Sequence, residues 1–215
     1  MAEIRKNIDL AAKLHELSLQ VVTRAKENGL HFTFAESCTG GLLAKSVTDI
    51  AGSSTVFYGS VVSYSDEVKA SVLRVCQKTL DEVGAVSADC ASQMASGVLG
   101  VIPSDIAISV TGFAGPDGGT EENPLGTVYF GIATKSGITK TFKKIFEGTR
   151  ENVRLQTAVT AFETLLAFIE FLKNISHKGF SHKEHKGSGF ARASRGSTCS
   201  PRKADKKMFT FVNIV

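Results

Sequence analysis

Apolar residues along this chain switch between a helical period and short runs of aromatic and β-branched residues, and the switching predicts interleaved helices and strands. From Ile8 to Asn28, Leu10, Ala11, Leu14, Leu17, Val21, Val22 and Ala25 share a helical face, and Gly29 follows where a C-terminal cap belongs. LHFTFA (30–35) then reads as a strand that ends in the turn 36–41, and LLAKSVTDI (42–50) continues as a helix. TVFYGSVVSY (55–64) predicts a second strand, Asp66 to Leu73 a short helix, and Ser87 the cap of a helix from Ala88 to Val101. The nearly all-apolar DIAISVT (105–111) has the pattern of a central strand covered on both faces. GTVYFGIAT and ITKTFKKIF follow with Gly137 turning between them, as in a hairpin. Arg150 to Lys173 forms a last helix with Val153, Ala158, Ala161, Leu165, Phe168 and Leu172 inward. Repeated βα alternation gives parallel strands and the late hairpin adds an antiparallel part. The expected fold is therefore α/β, a three-layer α/β/α sandwich around a mixed, largely parallel central sheet.

Composition narrows the picture. With 215 residues, 42% of them hydrophobic, the chain is sized for one globular domain plus an appendage. The formal charge of +4 is unevenly spread: residues 174–215 carry nine Lys or Arg against Glu184 and Asp205, a net +7, which leaves −3 on 1–173. The expected organisation is a folded domain over 1–173 and a basic tail over 174–215. The tail is rich in Gly, Ser, Lys, Arg and His and is expected to be disordered until about Lys207. Its charge suits weak contact with nucleic acid, and its apolar end MFTFVNIV suits strand addition to a partner. Cys38, Cys76, Cys90 and Cys199 form no CxxC pair and no zinc-ligand spacing, which excludes a zinc finger and a disulfide framework. The first ten residues lack the continuous apolar core of a signal peptide, and the most apolar helical window, Leu155 to Leu172, is broken by Glu163 and Glu170. A cytoplasmic protein without a membrane span is expected, and its apolar helix faces suggest a homodimer.

Three segments carry residue types that do chemistry. AESCTGG (35–41) lies where a strand end meets a helix start, the place where ligands collect in open α/β sheets. Ser37, Cys38 and Thr39 bring hydroxyls and a thiol there, and Gly40 and Gly41 open backbone amides at the positive end of the helix to an oxyanion or a phosphate. Ordinary helix capping and an ordinary glycine turn explain the same letters. YSDEVK (64–69) puts Lys69 one helical turn beyond Asp66, a spacing that suits a surface ion pair or, for a lysine buried near a hydroxyl, a base. No His falls in any motif, and His15 and His31 look structural, so Ser37 with Lys69 and Tyr64 is the natural nucleophilic group. The Cys38 thiolate is the alternative nucleophile. TGFAGPDGG (111–119) is a glycine-rich loop that is neither a P-loop nor a dinucleotide fingerprint; a substrate cradle and a plain surface loop both fit it. Arg150, in GTREN, offers a planar cation suited to a phosphate.

Taken in order, AESCTGG, AGSSTVFYGSVVSYSDEVK, GAVS, TGFAGPDGGTEENPLGTVYF and GTRENVR resemble the CinA C-terminal domain family, which includes nicotinamide-nucleotide amidohydrolases of the PncC type. The resemblance spans about residues 8–172 and implies a stand-alone enzyme of that type, without the molybdopterin-binding-like domain that precedes this one in full-length CinA proteins. It implies Ser37 as nucleophile, Lys69 and Tyr64 completing the catalytic group, Thr111 and Gly112 in the substrate pocket, and Arg150 facing phosphate. Two positions depart from the family pattern. Asp66 stands where YSNEAK has Asn, and its charge favours the ammonium form of Lys69 and opposes a base role; Ser60 replaces a usual Gly.

The implied substrate is nicotinamide mononucleotide. Ser37 would attack the carboxamide, neutral Lys69 would take its proton directly or through Tyr64, and amides around Cys38, Thr39, Gly40 and Gly41 would hold the oxyanion. Ammonia leaves, and water releases nicotinic acid mononucleotide, with no metal or organic cofactor. The rival from another class is a non-catalytic nucleotide-binding or competence- and DNA-damage-related regulatory domain, which would have no need of the Ser37 and Lys69 pair. A third reading, an amidase for a different carboxamide, keeps the chemistry and changes the substrate.

Overall fold

The computed structural model describes residues 1–177. Its elements run α1 (Ala2–Glu27), β1 (Phe32–Glu36), α2 (Leu42–Thr48), a 3-10 turn (Ser53–Thr55), β2 (Phe57–Val62), α3 (Asp66–Ser71), α4 (Gln77–Glu82), α5 (Ala88–Val101), β3 (Ile106–Gly112), β4 (Thr127–Thr134), β5 (Thr139–Ile145) and α6 (Arg150–His177). α1 starts ahead of the expected Ile8 and stops where expected, with the Leu30 amide reaching back to the Ala25 carbonyl. α4 was not foreseen. α6 continues past Lys173 to His177, so the domain boundary expected at 173 falls inside a helix. The expected disorder of the basic tail, its nucleic-acid contact and its end MFTFVNIV lie outside the described residues.

The five strands are ordered β2-β1-β3-β4-β5. β1 pairs in parallel with β2 and β3, while β3 with β4 and β4 with β5 are antiparallel. Four strands thus point one way and β4 opposes them, the mixed, largely parallel sheet expected. Because strand side chains alternate between faces, Phe32, Phe34, Ile106, Ile108, Val110 and Phe130 meet α1, α2 and α6 through residues such as Val21, Leu43, Phe162 and Leu165. Each such side chain taken from water contributes roughly 1.5–3 kcal/mol. The opposite face presents the small Ala35, Ala107 and Ser109, so α5 lies close, bringing Cys90, Met94 and Val98 onto it, and Ser109 Oγ donates to the Ala91 carbonyl at 2.5 Å.

α6 is long and apolar enough to cross a membrane, with a mean hydropathy of 1.4, yet 56% of that window is buried inside the protein. Val153, Ala158, Ala161, Leu165 and Ile169 face the core, and Glu163 pairs with Lys13 of α1 at 2.6 Å, so it is a core helix.

This connectivity decides where a ligand can sit. From β1 the chain crosses through α2 to β2 on one side; from β2 it returns over the other face through α3, α4 and α5 to β3, on the far side of β1. Crossovers on opposite faces open a crevice at the C-terminal ends of β1 and β3. β5 runs in the same direction, so its end delivers the first turn of α6 to that edge.

Candidate active site

The turn after β1, the start of α3, the end of β3 and the first turn of α6 enclose a cavity of about 200 Å³. Ser37, Cys38, Tyr64, Lys69, Thr111, Gly112 and Arg150 all line it, so residues spread over more than a hundred positions meet as the sequence reading required. A wider hollow of about 450 Å³, between the start of α1 and residues 148–152, holds none of these groups.

Ser37 is held at the cavity wall by its backbone: its amide donates to the Val110 carbonyl at 3.0 Å, extending the β1–β3 ladder by one bond. Lys69 is 2% exposed, and its Nζ lies 3.3 Å from Asp66 Oδ1. α3 places it there, starting at Ser65, whose Oγ accepts from the Val68 amide at 3.4 Å. Asp66, where the family pattern has Asn, also lines the cavity. The expected surface ion pair is thus half right: one partner is exposed and the other is buried at the site.

Tyr64 sits at the rim, 61% exposed, and its hydroxyl accepts from Arg150 Nη2 at 2.8 Å. Arg150 Nη1 donates to the Gly115 carbonyl at 2.7 Å, so one guanidinium joins α6, the Tyr64 segment and the loop after β3. Thr111 Oγ1 donates to the Ala85 carbonyl at 2.7 Å, bringing Ala85 and Val86 of GAVS into the wall. Gly112 is required by close approach, since a Cβ there would stand 2.5 Å from the Thr127 carbonyl oxygen of β4. Burial pushes the Cys38 thiol up to about 12, against an ordinary value of 9.0. Burial thus favours the neutral thiol and counts against Cys38 as the alternative nucleophile.

The structure corrects one expectation. Thr39, Gly40 and Gly41 do not line the cavity, and the start of α2 is not open to a ligand anion. Glu36, fully buried, occupies it: its Oε2 accepts from Thr39 Oγ1 at 2.8 Å and from the amides of Gly41 and Leu43 at 3.0 Å, and its Oε1 accepts from the Ala44 amide at 3.0 Å and Ser60 Oγ at 3.2 Å. The Gly40 amide is held by the Ser37 carbonyl at 3.1 Å and the Leu42 amide by the Thr39 carbonyl at 3.3 Å. Gly40 and Gly41, at φ +58° and +92°, fold the backbone back around this carboxylate. Of the amides from 38 to 44, those of Cys38 and Thr39 are not engaged by these carbonyl and carboxylate acceptors. Sequence reasoning missed Glu36 and also Arg154, whose Nη2 donates to the Thr39 carbonyl at 2.7 Å. An acidic residue at the end of an otherwise apolar strand, ahead of a helix start, was the available signal. Among the described residues no group of three or more His, Cys, Asp or Glu is placed to hold a metal ion.

The family model of the CinA C-terminal domain matches residues 14–169. The chain is 51% identical over 162 residues to the nicotinamide-nucleotide amidohydrolase PncC of Enterobacter agglomerans, covering 75% of this chain and 98% of that one. It is 46% identical over 163 residues to the protein of the same name from Escherichia coli K12, covering 76% and 98%. The crystal structure of a competence-damaged protein (CinA) superfamily member from Klebsiella pneumoniae, 37% identical, superposes with a TM-score of 0.71 over 74% of this chain and 98% of the other.

Proposed function

The chain belongs to the CinA C-terminal domain family, and from that premise we propose that it hydrolyses the carboxamide of nicotinamide mononucleotide to nicotinic acid mononucleotide and ammonia. Amidase activity follows from the identity to the PncC amidohydrolases. The observation that carries the finer reading is the convergence of Ser37, buried Lys69 and Arg150 on one cavity.

A cavity of about 200 Å³ falls below the ~300 Å³ at which ligand pockets usually begin, so it takes the pyridine ring and leaves the phosphate at the rim beside Arg150. Phe113 supplies an apolar wall for the ring. Ser37 Oγ attacks the carboxamide carbon, and Lys69 takes the hydroxyl proton, a transfer that its pairing with Asp66 at 3.3 Å opposes. The Tyr64 hydroxyl accepts from Arg150, which holds it at the rim, and its own proton stays free, so transfer from Ser37 to Lys69 runs directly or through Tyr64. The Cys38 amide is the candidate donor to the oxyanion. The C–N bond then breaks, the Lys69 ammonium protonates the departing nitrogen, and ammonia leaves an acyl-Ser37. Water, deprotonated by Lys69, attacks that ester and frees the carboxylate product and the serine. Proton transfer of this kind contributes roughly 10² to 10⁴-fold. The reading places the enzyme in cytoplasmic pyridine-nucleotide salvage.

The test is ammonia release from nicotinamide mononucleotide, with nicotinamide riboside and Ser37→Ala alongside. Release from the nucleotide alone, and loss of at least about 10³-fold in Ser37→Ala, is expected. Near-normal turnover in the variant overturns the serine mechanism, and equal turnover of the riboside overturns the phosphate role of Arg150.

A further inference from the structure

We propose that Glu36 is a positioning residue for the reaction at Ser37, a built-in anion that locks the nucleophile turn in its reactive shape. The inference rests on Ser37 as nucleophile, and it is carried by the hydrogen bonds that converge on one carboxylate. A fully buried carboxylate is costly unless every lone pair is used. Glu36 takes a hydroxyl from Thr39 and three amides from Gly41, Leu43 and Ala44, and it shares the Ser60 hydroxyl of β2 with the Phe34 carbonyl. These bonds all reach forward along the chain from the residue next to the nucleophile, tying the turn to α2 and to the neighbouring strand.

The bonds have a chemical direction. Each amide at the start of α2 that faces Glu36 is withdrawn from the substrate, which leaves the Cys38 amide in the cavity wall beside Ser37. The Glu36 main chain is fixed as well, its carbonyl accepting from the Ser63 amide at 2.8 Å, so Ser37 follows a residue held at both backbone and side chain. Arg154 of α6 adds a further hold on the turn by donating to the Thr39 carbonyl at 2.7 Å. Ser60 Oγ of β2 stands 3.0 Å from the Phe34 carbonyl and 3.2 Å from Glu36 Oε1, so its single proton is shared between the strand backbone and the carboxylate.

The test compares Glu36→Gln and Glu36→Asp with wild type. Glutamine keeps the shape but turns one acceptor oxygen into a donor that faces an amide or a hydroxyl. We expect kcat for the nucleotide to fall about 100-fold in Glu36→Gln, the scale of losing one oxyanion donor, with KM within about threefold. In Glu36→Asp, which keeps the charge, part of kcat returns. A serine-reactive fluorophosphonate gives a second readout that does not depend on the substrate: Ser37 labelling is expected to slow in Glu36→Gln by a factor comparable to the loss in kcat. Leu165→Ala, destabilised in the core behind α6, controls for stability and is expected to keep wild-type labelling. Wild-type kcat in Glu36→Gln, a loss confined to KM, or equal slowing in Leu165→Ala overturns the proposal. If wild type is labelled at Ser37 yet releases no ammonia from the nucleotide, the substrate reading falls and the labelling ratio still decides Glu36. If wild type is not labelled at Ser37, the serine nucleophile and the role of Glu36 fall together.

Discussion

Two glycine-rich segments follow adjacent parallel strands, and they are built in opposite ways. The turn after β1 is five residues long, 37–41, and is wound around a buried carboxylate that consumes the amides a ligand would otherwise meet. The loop after β3, from Phe113 to Gly126, is anchored at its base, where the Phe113 amide donates to the Thr127 carbonyl at 2.9 Å and the Gly126 amide to the Phe113 carbonyl at 2.8 Å. Most of its middle is exposed, and Arg150 holds it at Gly115. Both read as anion cradles by composition. What separates them is the occupancy of their donors: the first is spent internally to hold the turn that carries Ser37, while the second borders the open side of the cavity beside a guanidinium.

That contrast is broken most directly at Arg150. Arg150→Gln removes the cation and the link between loop and rim, and KM for nicotinamide mononucleotide is expected to rise about 50-fold, the scale of a lost charge-assisted contact, with kcat within about threefold. Steady-state kinetics checks it; a fall in kcat at constant KM would instead place Arg150 at the chemistry. Next comes Gly112→Ala, which drives a methyl against the Thr127 carbonyl where the β3 loop is anchored, and is expected to cost about 2 kcal/mol in urea unfolding. An unchanged midpoint would mean the β3–β4 pairing yields there without cost.

The smallest effect sharpens the other side. The folded Cys38 thiol holds its proton up to about 12, above an ordinary value of 9.0, so its contribution to stability is complete below pH 9 and is lost as pH rises from 9 toward 12. Between pH 9 and 10.5 that amounts to on the order of 1 to 2 kcal/mol, and Cys38→Ala should show a flatter melting-temperature profile over this window. Activity that survives iodoacetamide at pH 8 is the companion result. Rapid inactivation with alkylated Cys38 would return the thiol to the mechanism.

Local signals in the sequence located most of the fold. Ser87 begins α5 because its hydroxyl accepts from the Cys90 amide at 3.2 Å, a capping bond contained within four residues. Gly137 turns the β4–β5 hairpin for an equally local reason, its amide donating to the Thr134 carbonyl at 2.9 Å. α4 escaped because it is short and its support is distant: Gln93 of α5 donates to Thr79 Oγ1 at 2.8 Å. The site divides along the same line. Ser37, Lys69 and Arg150 were singled out by residue type and family pattern, but their meeting depends on crossovers on opposite faces of the sheet. The spent amides of α2 were illegible for a related reason, since Glu36 binds as far away as Ala44 and Ser60. Helix capping by Ser or Thr was the local expectation, and a carboxylate from the preceding strand took its place.

α6 carries Arg150 and Arg154 in its first turns and Val153, Ala158, Phe162 and Leu165 in the core behind them. A ligand gripped at Arg150 therefore loads the same rod that closes the hydrophobic interior, and occupancy and global unfolding become one linked equilibrium. At a hundredfold excess over its dissociation constant, such a ligand raises stability by about 2.7 kcal/mol. Heat and proteases should then spare the substrate-loaded protein, and that protection can rank candidate nucleotides without a single turnover.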